Sequence, residues 1–208
     1  MALPEDLYDK TDWSLKKENT TSQEKEIVGY LYHTQLNFTE EDIFNFLKIR
    51  KRWYYNYNYE GGNPATVRII NQLGYLHALD MFEQRWDGVF LNFDKWHKYY
   101  SLGYTTVIGN VLDLNSELRK IENFLTEELG ITCCGNFYFG KYGRRASFGK
   151  HSHPYDVIVK QIYGSSRWIV NEKEVIVNPQ DVLFIPRKTD HEVIDKGENK
   201  LSLTLNIE

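Results

Sequence analysis

The pattern of hydrophobic and polar positions changes near residue 130 and divides the chain into two parts. Before that point, apolar residues recur every three or four positions, which is the period of an amphipathic α-helix. After it, short β-branched and aromatic runs alternate with turn residues, as is typical of antiparallel strands. The pattern therefore predicts a helical region followed by a β domain.

Two helices are predicted in the first part of the chain. The earlier one has Thr39 as its N-cap, because a threonine there accepts a hydrogen bond from the first turn, and three acidic residues follow at once. Its apolar stripe consists of Ile43, Phe44, Phe46 and Leu47. The later one is predicted over residues 66–85, where an apolar residue recurs every three positions. These positions are Val67, Ile70, Leu73, Leu76, Leu79 and Phe82.

A third helix, in "LNSELRKIENFLTEELG", has the clearest boundaries. Asn115 or Ser116 is its predicted N-cap, and Gly130 stands where a glycine commonly ends a helix. Residues 1–25 are polar and without periodicity, so they predict a loose N-terminal arm, or a segment that wraps an edge, ahead of one domain over residues 26–208.

Seven strand-like runs follow, bounded by turn residues. They read "CCGNFYFG", "DVIVKQIYG", "RWIVN", "EVIVN", "DVLFIP", "HEVID" and "LSLTLNI". So many short strands in one region favour a closed or sandwiched antiparallel β structure. The predicted fold class is mainly β with flanking helices (α+β), with a helical part over about 38–130 and a jelly-roll barrel over about 131–207.

Composition and charge exclude several classes of protein. The chain has 208 residues and a formal net charge of −4, which argues against general nucleic-acid binding. Its two cysteines, Cys133 and Cys134, are adjacent and would point to opposite faces of a strand, so a disulfide framework is not expected. With no apolar signal sequence and no long apolar run, no membrane association is expected, and the predicted location is cytoplasmic.

Three of the six histidines form a candidate metal site. His151 and His153 would share one face of a strand, since the side-chain period is two. His191, at the start of a later run, would complete three ligands and leave positions open for substrate or oxygen. The other three, on predicted helices or loops, are not expected to bind metal: His33, His77 and His97.

Two stretches around these histidines resemble the JmjC-type, cupin-like Fe(II)/2-oxoglutarate-dependent oxygenases, closest to the ribosomal oxygenase group. "HSHPYDVIVKQIYGSSRW" is similar to the family's metal-binding strand and the run that follows it. "QDVLFIPRKTDH" is similar to the stretch that carries the distal histidine. The resemblance extends over about residues 103–207 and implies a double-stranded β-helix, with the metal held by His151, His153 and His191.

The chain departs from the family at the position of the metal-binding carboxylate. The family has His-x-Asp where this chain has His151 and His153. A third neutral imidazole still binds Fe(II), but it leaves the centre one charge more positive than a carboxylate does. Asp156 is the alternative carboxylate, although its odd spacing places it on the opposite face of a regular strand.

A second departure concerns the co-substrate. The family has a Lys or Arg for the distal carboxylate of 2-oxoglutarate at the position of Ser166. A serine provides no charge-assisted pair, so we expect weak 2-oxoglutarate binding, improved by Ser166→Lys, unless Lys160, Arg167 or Lys200 reaches the site. The resemblance also aligns Tyr138 and Asn206 with positions near the co-substrate, although Tyr138 also suits barrel packing and Asn206 a solvent contact.

By resemblance, the chain is expected to be an Fe(II)-dependent oxygenase that hydroxylates a side chain of a peptide or protein. Ni(II) or Zn(II) are expected to replace iron in purified protein, because they bind such ligands more tightly. Two alternatives stay open: a three-histidine cupin dioxygenase that does not use 2-oxoglutarate, and a non-catalytic metal-binding cupin module. The sequence identifies neither the substrate nor the oligomeric state.

Overall fold

A computed structural model describes most of the chain in seven stretches. These are residues 21–49, 66–71, 74–76, 78–86, 88–141, 148–195 and 199–207. In these stretches, two facing β-sheets are covered on one side by helices. The predicted fold class is confirmed, and the helices lie outside one sheet, as expected.

Two helices open the described part of the chain. Helix α1 (Ser22–His33) begins at a capping box, in which Thr21 and Glu24 exchange side-chain and backbone hydrogen bonds. Helix α2 (Glu40–Ile49) has Thr39 at its start, as predicted, and Asp42 completes a similar reciprocal pair. The loose arm predicted over residues 1–25 is therefore wrong for residues 22–25, because this cap starts a helix there. Residues 1–20 lie outside the described residues.

The helix predicted over residues 66–85 is wrong. The structure has strands β1 (Thr66–Asn71), β2 (Gly74–Leu76) and β3 (Phe82–Arg85) there, with a 3₁₀ turn at Leu79–Met81. The three-residue spacing suggested one helical face, but β1 pairs with a later strand, β5 (Thr105–Gly109), and its side chains alternate. As a result Val67 packs towards the helices, while Ile70 lines the cavity between the sheets.

Strand β4 (Gly88–Leu91) forms a hairpin with β3 and leads into helix α3 (Phe93–Ser101), which the pattern did not predict. Strand β5 (Thr105–Gly109) follows, and then helix α4 (Ser116–Asn123), which continues as a π-helical turn over Phe124–Glu128. The α4 prediction is confirmed, since the Asn115 side chain caps its first turn and Gly130 has a φ of +66° after the helical segment.

All seven predicted strand runs are strands in the structure. They are β6 (Cys133–Gly140), β7 (Asp156–Tyr163), β8 (Ser166–Val170), β9 (Lys173–Val177), β10 (Val182–Ile185), β11 (His191–Asp195) and β12 (Lys200–Ile207). The large sheet has the antiparallel order β10-β7-β12-β6-β5-β1-β2, and the small sheet has the order β11-β8-β9. Because β1, β2 and β5 belong to the large sheet, the sheet begins well before residue 131. The predicted helical part over about 38–130 therefore also contains strands of this sheet.

Two hydrophobic clusters hold the layers together. The larger cluster lies between the large sheet and the helices, and includes Leu31, Trp96 and Ile121. The smaller cluster lies between the sheets and includes Val159, Trp168 and Leu183. The space between the sheets is thus only partly filled by apolar side chains, and the candidate site occupies the rest. Among the described residues, no helix combines the length and the apolar composition that a bilayer crossing requires.

Candidate metal centre

The structure brings His151, His153 and His191 together. Their ligand nitrogens all lie within 4.8 Å of one another. The ring centroids are 4.8 Å apart between His151 and His153, 4.4 Å between His151 and His191, and 5.2 Å between His153 and His191. Three imidazoles so close together can supply three nitrogen ligands to one divalent ion.

Backbone pairing explains why the three rings meet. His151 and His191 form an antiparallel bridge, with backbone N···O distances of 3.1 and 2.8 Å. The bridge adds the segment before β7 to the edge of the small sheet, next to the first residue of β11. The Lys188 backbone N–H also donates to the carbonyl of His153 at 2.6 Å, which joins that segment to the loop before His191. Two distant parts of the sequence are therefore held in one register.

The backbone also orients two of the rings. The Nδ1 atom of His151 lies 2.7 Å from the carbonyl oxygen of Gly149, and that of His191 lies 2.8 Å from the carbonyl oxygen of Thr189. A carbonyl oxygen only accepts, so each Nδ1 must carry a proton and donate it. The Nε2 atoms are then unprotonated and available to an ion, which is the usual support of a metal-binding histidine.

Burial favours the neutral form of two of the rings, His153 and His191. Burial, together with the neighbouring His151 and His191, lowers the pKa of His153 to about 4. Burial likewise lowers the pKa of His191, against the raising effect of its hydrogen bond to Thr189. Neutral imidazole is the metal-binding form, so at neutral pH the donor set suits Fe(II), Ni(II) or Zn(II).

Aromatic side chains surround the cluster. Tyr155 stacks on His153 with a centroid distance of 4.8 Å, and Phe148 meets His151 edge-on at 5.4 Å. Trp168 lies 6.3 Å from the His191 ring. These rings limit the positions that the ligands can adopt and give the centre an apolar surround.

Asp156, the alternative carboxylate, is engaged elsewhere. It is buried, and its carboxylate accepts hydrogen bonds from the backbone N–H of Arg187 at 2.6 Å and from the guanidinium of Arg187 at 2.7 Å. It is not part of the histidine cluster. The Asp156–Arg187 pair instead ties the start of β7 to the loop that leads to His191.

A cavity of about 380 Å³ extends from the histidines between the two sheets. Its volume is within the range of small-molecule pockets. Of the predicted co-substrate residues, Tyr138 and Asn206 line it. Ser166 is not among the described residues that line it, because its hydroxyl is buried behind Trp168 and accepts a 2.8 Å hydrogen bond from the indole N–H. A role of Ser166 towards a co-substrate stays a prediction.

The three candidate cations have different positions. Lys160 is fully buried and donates to the carbonyl of Gln180 at 2.7 Å, and Arg167 is exposed and pairs with Glu174. Lys200 is only 3 % exposed and lines the cavity, with its Nζ 5.7 Å from the centroid of the Trp168 ring. Of these three, Lys200 alone contributes to the cavity wall.

Arg68 also lines the cavity and was missed by the sequence analysis. It lies in β1, within the segment predicted as a helix. The run "TVRII" could have indicated a strand with Arg68 as its one polar position, because a single cation stands there among β-branched residues. Cys134 lines the cavity while Cys133 packs against the helix-side cluster, so the expected opposite orientation of the two cysteines is confirmed.

Comparison with solved structures finds similarities over part or most of this chain. The Escherichia coli ribosomal oxygenase YcfD aligns over 85 % of this chain and 45 % of its own, with 15 % identity and a TM-score of 0.52. The structure of YcfD with cobalt and 2-oxoglutarate aligns over 50 % and 32 % of the two chains, with 24 % identity and a TM-score of 0.42. An RmlC-like cupin from Shewanella frigidimarina aligns over 36 % and 65 %, with 15 % identity and a TM-score of 0.33.

The chain spans less than two thirds of each of these proteins. The likeness to YcfD at 15 % identity and a TM-score of 0.52 shows the fold alone. Neither the protein-family models nor the curated protein sequences gave a match to this chain. The chain thus has a cupin-like α+β fold with a three-histidine cluster suited to a metal ion.

Proposed function

We propose that this protein is a metal-dependent oxygenase that uses Fe(II) and 2-oxoglutarate to hydroxylate a peptide or protein side chain. The observation that carries the proposal is the opening of the three-histidine cluster into a cavity with a buried lysine in its wall. The cupin-like fold supports it, because the neighbour YcfD is a ribosomal oxygenase. That activity is known for YcfD and is extended to this chain only by the proposal.

The histidines would hold the ion, with the backbone-bonded Nδ1 atoms of His151 and His191 keeping their Nε2 atoms directed towards it. When bound, Fe(II) would activate oxygen and accept the chelating end of a 2-oxo acid. The chain's contribution is to fix the ligands, to exclude water with Phe148, Tyr155 and Trp168, and to orient the co-substrate.

Lys200 is our candidate for binding the distal carboxylate of 2-oxoglutarate. A dicarboxylate that enters the cavity loses water and needs a charge-assisted partner. Lys200 supplies a buried positive charge on the cavity wall, beside Trp168. This removes the need for a cation at Ser166, so the weak co-substrate binding expected from that position does not follow.

The experiment measures succinate release from 2-oxoglutarate by the Fe(II)-loaded protein, with metal-free protein and His191→Ala as controls. We expect release that depends on added Fe(II) and is lost in His191→Ala. Lys200→Met should raise the Kd of 2-oxoglutarate about ten- to a hundred-fold, the loss of one charge-assisted pair, while metal stoichiometry stays unchanged. Lys173→Met, on an exposed position of β9, is the matched control and should change neither.

A three-histidine dioxygenase that does not use 2-oxoglutarate is the second candidate. It is favoured by the all-imidazole ligand set, because the alternative carboxylate, Asp156, is paired with Arg187. In that case the substrate itself would chelate the metal. Full iron occupancy without any succinate release, together with oxygen uptake dependent on another chelating acid, would select this candidate over the first.

A further inference from the structure

Strand β12 presents a row of three polar, uncharged side chains to the cavity. These side chains, which we call the polar row, belong to Ser202, Thr204 and Asn206. They share one face of the strand because side chains alternate along it. Since successive members are two residues apart, the row extends about 14 Å along the cavity wall. It is long enough to contact more than one bound group.

The hydroxyls of the polar row are buried but have no partner in the described part of the chain. Ser202 is 2 % exposed and Thr204 is 8 % exposed. Neither they nor the Asn206 amide form a side-chain hydrogen bond with another described residue. By contrast, the buried amide of Gln161, opposite Ser202 in β7, donates to backbone carbonyl oxygens. Buried polar groups cost free energy unless their hydrogen bonds are completed, so the row is suited to a ligand.

The two strands beside β12 give the polar row two different flanks. On the side of β6, Asn136 lies opposite Thr204 and also lines the cavity. On the side of β7, Val159 lies opposite Thr204 and Val157 lies opposite Asn206, and both line the cavity. The wall around Thr204 is therefore polar on one flank and apolar on the other. Such a surface matches a side chain that has an apolar stem and a hydrogen-bonding end.

The polar row also has two different ends. Lys200, our candidate for the distal carboxylate of the co-substrate, precedes it at one end of β12. At the other end, Ile207 pairs with Asp156, which follows His153 by three residues. Asn206 therefore lies towards the histidines. Since the histidines would hold the ion, a reacting group must approach this end of the row.

We propose that Thr204 and Asn206 select a substrate side chain that both donates and accepts hydrogen bonds, namely a carboxamide or a hydroxyl. This inference rests on the proposed function and names the class of side chain that enters the cavity. A hydroxyl and an amide each offer donors and acceptors, so a group of the same kind satisfies both. An aliphatic side chain of equal size would leave them unpaired and would be rejected. The substrate residue is asparagine, glutamine, serine or threonine.

The experiment measures the binding of four peptides to the Zn(II)-loaded protein, with and without saturating 2-oxoglutarate. Each peptide is acetyl-Gly-X-Gly-amide, in which X is asparagine, leucine, threonine or valine. Asparagine and leucine have nearly the same shape, as do threonine and valine, so each pair isolates the polar group. We expect the polar member of at least one pair to bind about tenfold more tightly in an NMR titration. The pair that shows this preference distinguishes a carboxamide from a hydroxyl.

The variants remove the polar groups and keep the shape of the wall. Thr204→Val should reduce the preference for the polar peptide at least about threefold, and the double variant with Asn206→Leu should abolish it. Thr204→Ser retains the hydroxyl and should preserve the preference. The matched control is Thr126→Val, because Thr126 is exposed and its hydroxyl bonds only within its own helical segment. Circular dichroism of each variant establishes that it is folded.

Several outcomes would overturn the inference. One is equal affinity for the two members of both pairs, and another is failure of all four peptides to bind up to their solubility. A preference that persists in the double variant would place recognition elsewhere. Weakening of 2-oxoglutarate by Thr204→Val as large as that of the peptide would assign the residue to the co-substrate. Failure of the oxygenase proposal is distinguishable: without succinate release, a preference that depends on Thr204 leaves this site standing.

Discussion

The two faces of strand β12 are almost equally buried but chemically opposite. Towards the helices, the strand presents only apolar side chains: Leu201, Leu203, Leu205 and Ile207. Towards the cavity, it presents only polar ones: Lys200, Ser202, Thr204 and Asn206. Exposure does not separate the two sets, since Leu203 is 0 % and Ser202 is 2 % exposed. Burial by itself therefore does not identify the hydrophobic core. The polarity of the side chains on each buried face distinguishes the core from the cavity wall.

The same contrast continues in β6, the neighbour of β12. Phe137 and Phe139 pack against the helices, whereas Asn136 and Tyr138 line the cavity. Buried polar groups cost free energy unless they find partners. A contiguous polar face kept between two sheets therefore indicates a binding surface, while the apolar face supplies stability. Each prediction below tests that division, beginning with the largest expected effect.

The largest effect should come from the candidate metal ligands of the cavity. His151→Ala or His191→Ala removes one of three nitrogen donors and should abolish stoichiometric binding of a divalent ion. His97→Ala, on the exposed face of α3, is the matched control and should leave one ion per chain. Elemental analysis after dialysis measures occupancy. Full occupancy in either ligand variant would refute the site.

Adjacent residues of β12 should differ sharply in their effect on stability. Leu203→Ala opens a cavity in the helix-side core and should lower the free energy of unfolding by about 2–5 kcal/mol. Ser202→Ala, one residue earlier on the cavity face, should lower it by about 1 kcal/mol or less. Urea denaturation of both variants makes the comparison, and similar losses would show that the cavity face is as structural as the helix face.

The histidine cluster should make the metal-free protein sensitive to acid. The pKa of His153 is lowered from 6.5 to about 4, so between these values the unfolded chain binds more protons than the folded one. The contribution of the neutral His153 ring to stability is then fully present above about pH 6.5 and is lost as the pH drops towards 4. Urea denaturation at pH 7 and pH 5 measures the loss. His153→Asn should reduce the difference between the two pH values, and an unchanged difference would contradict this cause.

The smallest effect is expected at Ser166. Ser166→Ala removes the hydroxyl that accepts a hydrogen bond from Trp168 and should lower the free energy of unfolding by about 1 kcal/mol. Since Ser166 does not line the cavity, the affinity for 2-oxoglutarate should change less than about threefold, against about ten- to a hundred-fold for Lys200→Met. A large change in affinity in calorimetric titration would restore Ser166 to the co-substrate site.

Local sequence features predicted many of the secondary-structure elements and two of the three histidines of the candidate metal site. Its turn-bounded runs predicted seven strands, and its caps predicted helix α4, because hydrogen bonds and side-chain alternation over a few residues decide these features. The close spacing of His151 and His153 suggested a shared face for the same local reason. His191 was proposed from its position at the start of a later strand run and from the family resemblance, and the cross-strand bridge to His151 supplies the physical cause of its place in the cluster.

Long-range pairing decided the rest. Residues 66–71 have apolar spacing compatible with a helix, and only the ladder with β5 made them a strand and turned Arg68 towards the cavity. The alternation of side chains along a strand shows which residues share a face. It does not show which of the two faces the helices cover. For that reason the sequence could not choose among Lys160, Arg167 and Lys200. Lys160 lies against the Gln180 carbonyl, Arg167 is exposed, and Lys200 lines the cavity because the helices pack on the leucine face of β12.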